Sequence, residues 1–78
     1  MPIIFQKDGF QFFFYSNDHE PVHVHVRKGG SEAVFNVNDD IELRESHGFK
    51  IRELSKAQEL AEEHKLIILQ KWYEHLNR

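Results

Sequence analysis

Val22-His23-Val24-His25-Val26-Arg27-Lys28 alternates strictly between apolar and polar side chains. A period of two is that of a strand buried on one face; a helix would scatter these residues around its axis. Val22, Val24 and Val26 therefore point into a core. His23, His25 and Arg27 point the other way, with neighbours on that face about 6.6–7 Å apart. Gly29-Gly30 makes the next turn, and Glu32–Val37 reads as the returning strand. Upstream, Ile3–Lys7 and Phe10–Tyr15 flank Asp8-Gly9. Asp-Gly is a strong two-residue hairpin signal, because both positions tolerate positive φ.

Between these strands lies a polar loop, Ser16-Asn17-Asp18-His19-Glu20-Pro21, whose proline blocks both a helix and a central strand. Asn38-Asp39-Asp40 marks a third turn, and Ile41-Glu42-Leu43 a short fifth strand. Glu45-Ser46-His47-Gly48-Phe49 reads as a turn into a helix, with a local hydrogen bond or cap as the role of His47. Strands at this spacing, joined by tight turns, form an antiparallel meander.

From Ile51 to Leu76 there is neither Gly nor Pro, and most residues are good helix formers. Ile51, Leu54, Gln58, Ala61, Lys65, Ile68, Trp72 and Leu76 fall near one stripe at spacings of three and four. Lys50 is a poor N-cap, so either Ser46 starts the helix earlier or its start is frayed. A continuous helix over 51–76 would be about 39 Å long. A compact chain of this length has a radius of gyration of only about 11–12 Å. Either the helix breaks near Glu62–Lys65, or one end overhangs the body. Leu66-Ile67-Ile68-Leu69 wraps most of a turn and cannot all face one sheet. A helical hairpin buried on two sides accounts for it. So does an interface formed by Leu66, Ile67, Leu69, Trp72 and Tyr73 with a partner or a second copy. His64 is expected to be half-buried beside the stripe, and His75 to favour its charged form at the helix C-terminus.

The fold class is α+β: a small antiparallel β-meander of four to five strands packed against a C-terminal helix or helical hairpin. It is a single domain over residues 1–78, with the sheet in 1–45 and the helical part in 46–78.

Composition narrows the function. The chain has 78 residues, 40 % of them hydrophobic and 13 % aromatic, which is globular rather than disordered. It has no cysteine, so disulfides and thiolate metal sites are excluded. The net charge is −3. A domain that only gripped phosphates would be basic, so plain nucleic-acid binding starts behind. The deficit lies in residues 31–50, where five acids face Arg44 and Lys50. The start, Met1-Pro2-Ile3-Ile4-Phe5-Gln6-Lys7, lacks a basic n-region and a long apolar h-region. No apolar run approaches the ~18 residues of a membrane span. A cytoplasmic protein with no membrane partner is expected.

There are six histidines, and the histidine strand carries the chemistry. Phe10, Phe12 and Phe14 are expected to line the core, and Phe13 and Tyr15 to share the opposite face with His23 and His25. Three readings compete for that face. The first is metal-free acid–base chemistry on a phosphodiester, with His23 and His25 as acid and base and Arg27 on the phosphate. Imidazoles titrate near neutral pH, and a guanidinium forks onto phosphate. Tyr15, Asp18, His19 and Phe13 would assist binding, with no cofactor and no metal. The second is a divalent-metal site, with His19, His23 and His25 plus Asp18 or Glu20 as an N/O shell. The spacing matches no common metal motif, and Pro21 prevents a helical pair of ligands. The third is a solvated polar strand face with structural histidines.

Phe12-Phe13-Phe14-Tyr15-Ser16-Asn17-Asp18-His19-Glu20-Pro21-Val22-His23-Val24-His25-Val26, then Glu45-Ser46-His47-Gly48-Phe49 and Arg52-Glu53-Leu54, resembles a small bacterial family known as domain of unknown function 4160. The resemblance covers nearly the whole chain. Members commonly carry two prolines where Pro21-Val22 stand, Ser where Lys50 stands, and polar residues where Leu66 and Ile67 stand. The family's genes often neighbour a second small domain. The resemblance therefore implies a toxin-like component of a type II toxin–antitoxin-like pair, with a small partner protein encoded nearby. A metal-independent ribonuclease acting through the His-x-His-x-Arg face, with RNA as partner, fits that class. The alternative is a non-enzymatic binding or regulatory module that acts through its C-terminal helix, as a homo-oligomer or on another protein.

Overall fold

The computed structural model describes residues 3–76 and has five strands followed by two helices. The strands are β1 (Ile3–Lys7), β2 (Phe10–Phe13), β3 (His23–Lys28), β4 (Ser31–Val37) and β5 (Ile41–His47); the helices are α1 (Ile51–Glu63) and α2 (Lys65–Leu76). All neighbouring strands are antiparallel, in the order β1-β2-β3-β4-β5. The α+β meander is the expected one. Asp8 and Gly9 carry φ of 53° and 84°, the positive pair that a tight two-residue hairpin needs.

Alternation sorts the sheet into two faces. Phe10, Phe12, Phe14, Val24, Val26, Ala33, Phe35, Val37 and Ile41 are buried in one core with Ala57, Leu60, Ala61, Ile68 and Trp72 of the helices. Val22 is half-buried at its edge, before β3 begins. The fifth strand is longer than the Ile41–Leu43 expected. It runs to His47, with a register shift opposite Val34 and Phe35, so His47 ends a strand and the turn is only Gly48 to Lys50. Gly48 has φ of 93°, and a Cβ there would stand 2.7 Å from Ser31 Oγ, so only glycine fits this exit.

The helix begins at Ile51 with Lys50 as N-cap. Neither the Ser46 start nor a frayed one is found. Glu53 Oε1 accepts the Lys50 N–H at 2.9 Å and satisfies the start from the third helical position. Of the two alternatives, a break near Glu62–Lys65 or an overhanging end, the first is found: the helix breaks at His64, and the molecule's longest dimension is 35 Å. The His64 N–H and Nδ1 both reach the Leu60 carbonyl oxygen, at 3.1 and 2.8 Å. Its ring stacks on Phe5 at 4.1 Å, and Phe5 stacks on Phe12 at 4.3 Å. This column fastens the break to β1 and β2.

The expected stripe is corrected at its start. Ile51 is 84 % exposed, and α1 buries Ala57, Leu60 and Ala61 with Leu54 half-buried. Gln58 instead donates to the Ile41 carbonyl oxygen, and Lys65 to that of Asp39, tying α1 to the start of β5 and α2 to the turn before it. The Leu76 side chain lies outside the described residues, as do Met1, Pro2, Asn77 and Arg78. No described helix is long and apolar enough to cross a membrane.

Candidate functional site

The second face of the sheet carries its own small aromatic patch. Cross-strand register pairs Gln11 with Arg27, Phe13 with His25, His25 with Val34 and His23 with Asn36. Phe13 is fully buried although it lies outside the core that the helices pack against. It is covered by its neighbours. The His25 ring stacks on it at 5.5 Å, Tyr15 meets it edge-on at 5.2 Å, and the Arg27 guanidinium lies 5.0 Å above its centre. Tyr15 also meets His25 at 4.6 Å. Phe13, Tyr15 and the histidines thus share a face, as alternation implied.

Asp18 reaches this face from the loop between β2 and β3. A reciprocal turn sets its position: Tyr15 N–H donates to Asp18 Oδ2 at 2.9 Å, and Asp18 N–H to the Tyr15 carbonyl oxygen at 3.1 Å. This is the local bonding that makes Asp a turn residue. The carboxylate then meets both rings. His23 Nε2 lies 3.3 Å from Oδ1; His25 Nε2 lies 3.2 Å from Oδ1 and 3.1 Å from Oδ2. The side chains of His23, Asp18 and His25 are 7 %, 10 % and 14 % exposed.

Burial opposes the charge on Asp18. The Tyr15 N–H, the charge and hydrogen bond of His25, and the charge of His23 outweigh it and hold the carboxyl below its ordinary value. Asp18 is therefore an acceptor only. His23 Nδ1 stands 2.8 Å from the Pro21 carbonyl oxygen, which can only accept, so Nδ1 carries a hydrogen. In the neutral ring Nε2 then presents a lone pair, facing an anionic oxygen. That juxtaposition is stable only with a positive species there, a proton on Nε2 or a cation between the two atoms.

One ligand atom from each of Asp18, His23 and His25 lies within 4.8 Å of the others. Donors at about 2.1 Å from a tetrahedral ion stand about 3.4 Å apart, close to the His-to-Asp distances seen. The Nδ1–H bond of His23 to a backbone carbonyl is the outer contact that orients metal-binding imidazoles. His19 and Glu20, the other metal candidates on the sequence, are exposed and lie outside this cluster. Arg27 donates Nε and Nη2 to Gln11 Oε1, at 3.2 and 2.9 Å, so that edge of its fork is engaged within the sheet.

The expected helical interface divides. Leu66, Ile67 and Tyr73 are 83 %, 36 % and 53 % exposed. Leu69 is half-buried and lines a groove with Val22, Val37 and Tyr73. Trp72 is corrected: it is buried in the core against Phe14 and His23 and offers no surface to a partner.

Two residues escaped the sequence. Asn36 enters because its β4 position is paired with His23, and Oδ1 is a buried acceptor with no donor among the described residues. Its place in the alternation of Glu32, Val34 and Asn36 put it on the histidine face; its register did not follow from that. Pro21 enters through its carbonyl oxygen, which no side-chain motif signals.

No curated protein and no solved structure matches this chain. A family model described as Domain of unknown function (DUF4160) matches residues 9–73. That span holds four of the five strands, the helix break, and Asp18, His23 and His25. The chain belongs to the DUF4160 family of domains of unknown function.

Proposed function

We propose that this domain binds a divalent metal ion, with Asp18, His23 and His25 as its protein ligands. The observation that carries the reading is the orientation of His23. Its Nδ1 is committed to the Pro21 carbonyl oxygen, which leaves its Nε2 aimed at the same carboxylate that His25 Nε2 meets. Two imidazoles and one carboxylate suit zinc, iron or nickel better than calcium or magnesium. The site sits on a β-strand and a turn held by its own hydrogen bonds, so its donors are preorganised.

The test is metal content and calorimetric titration of the full chain with Zn²⁺. The expected result is one ion per chain, with His23→Ala and His25→Ala each weakening binding at least tenfold while circular dichroism stays that of the folded protein. Wild-type protein that takes up no ion, or His23→Ala that binds equally well, overturns the reading.

A second reading keeps His23 and His25 as acid and base on an RNA phosphodiester, with Arg27 on the phosphate. The shared face and the Phe13–Tyr15 wall favour it. Both Nε2 atoms face Asp18, and the Arg27 fork is held by Gln11; either arrangement must open for that chemistry. The toxin-like role, with a small partner protein encoded nearby, rests on the family. Exposed Leu66, Ile67 and Tyr73 are the surface a partner or second copy would cover. Induced expression in a bacterial host tests it. Growth arrest by the wild type, absent in a folded His23→Ala/His25→Ala variant, supports a toxin acting through this face. No arrest by the wild type refutes it.

A further inference from the structure

We infer that the metal site, on the reading above, is an open one: the ion keeps an exchangeable position, occupied by water and able to take a small anion. Three observations converge. First, the cluster supplies three protein donors, one short of a tetrahedral shell. Three protein ligands plus a solvent position are the mark of reactive sites, whereas structural zinc sites are closed by four.

Second, Asn36 stands directly across the β3–β4 ladder from His23 on the same face. Side chains so paired have Cβ atoms about 4.5–5.5 Å apart. Its Oδ1 is buried with no donor among the described residues. Such an orphan calls for a hydrogen, and a water on the ion is a strong donor at that place. Third, the cluster is not sealed. The side chains of Asp18 and His25 retain 10 % and 14 % exposure, so solvent reaches the donor atoms' side chains. Arg27, next on the same strand face, adds positive charge and favours an anionic ligand.

The ligand class is thus a small anion with an oxygen or nitrogen donor, such as azide or inorganic phosphate. Exchange costs the water its bond to Asn36. Removing that acceptor while keeping the branched side-chain shape, as in Asn36→Leu, should therefore favour the anion.

The full chain loaded with Co²⁺ tests this through its visible absorption. Azide added to the wild type should shift the spectrum saturably. Asn36→Leu should still bind Co²⁺ and should take azide about two- to tenfold more tightly, the worth of one hydrogen bond. Co²⁺ that binds but whose spectrum ignores azide overturns the open site, and Asn36 as a direct fourth ligand would give that result. Wild type that binds no Co²⁺ overturns the metal reading itself, which separates the two failures. The wild-type arm stands even if Asn36→Leu does not fold.

Discussion

His23 Nε2 stands 3.3 Å from Asp18 Oδ1 while the other nitrogen of the same ring is bonded to Pro21. One side chain thus ties the start of β3 to the loop before it and aims its Nε2 at a carboxylate. Its ring also lies 5.2 Å from that of Trp72 in α2. The candidate site and the core therefore share a wall, and the consequences can be measured.

Trp72 is the single tryptophan of the chain, and it touches His23. Binding of Cu²⁺ or Co²⁺ at the site should quench its fluorescence saturably at one ion per chain. His23→Ala should abolish the saturable component. Quenching that persists in His23→Ala would place the ion elsewhere.

Asp18 links stability to acid pH. Its folded carboxyl lies below the ordinary value of 3.8: burial pushes it up, but the Tyr15 N–H and the charges of His25 and His23 prevail. A depressed carboxylate contributes stability that is full above the unfolded value and is lost as pH falls through the folded one. The metal-free wild type should thus lose stability relative to Asp18→Asn as pH drops from about 5 to 3. Chemical denaturation at several pH values measures it. Parallel profiles for the two proteins would refute it.

Phe13 lies outside the core that the helices pack against, yet it is fully buried. Phe13→Ala should cost about 3–5 kcal/mol, the cost of a core phenylalanine. Were its cover of Tyr15, His25 and Arg27 a loose surface layer, the loss would be well below that. Urea unfolding decides, and far-ultraviolet circular dichroism checks that the sheet survives.

Leu66 and Ile68 are two residues apart in α2 and should behave oppositely. Ile68→Ala should cost about 2–5 kcal/mol, because Ile68 is buried in the core. Leu66→Glu should change stability by no more than about 0.5 kcal/mol, because Leu66 is 83 % exposed. A large loss for Leu66→Glu that depends on protein concentration would mean that a second copy covers it.

The strand face at Val22–Arg27, the Asp8-Gly9 hairpin and the helical second half were legible in the amino-acid sequence. Each rests on a local period or on the φ preference of one or two residues. The break in the helix was legible in part, from length against the size of a small domain. The sequence placed it near Glu62–Lys65, with an overhanging end as the alternative; the stack on Phe5 and Phe12, which arrive from another part of the chain, holds the break at His64. The core face of α1 was misread by part of a turn. Apolar spacing alone cannot tell Ile51, left in solvent, from Ala57, pressed against the sheet.

His23, His25 and Asp18 were named as candidates by residue type, but alternation places the two histidines on one face and no closer than that. The convergence of their ring nitrogens on Asp18 follows from the path of the loop, the turn closed by Tyr15, and the Pro21 carbonyl that sets the His23 ring. Asn36 joins them through strand register alone. Strand and helix periods come from neighbours along the chain and can be read there. A site made of a loop, a strand and its cross-strand partner depends on distances between segments, and only the packed fold sets those.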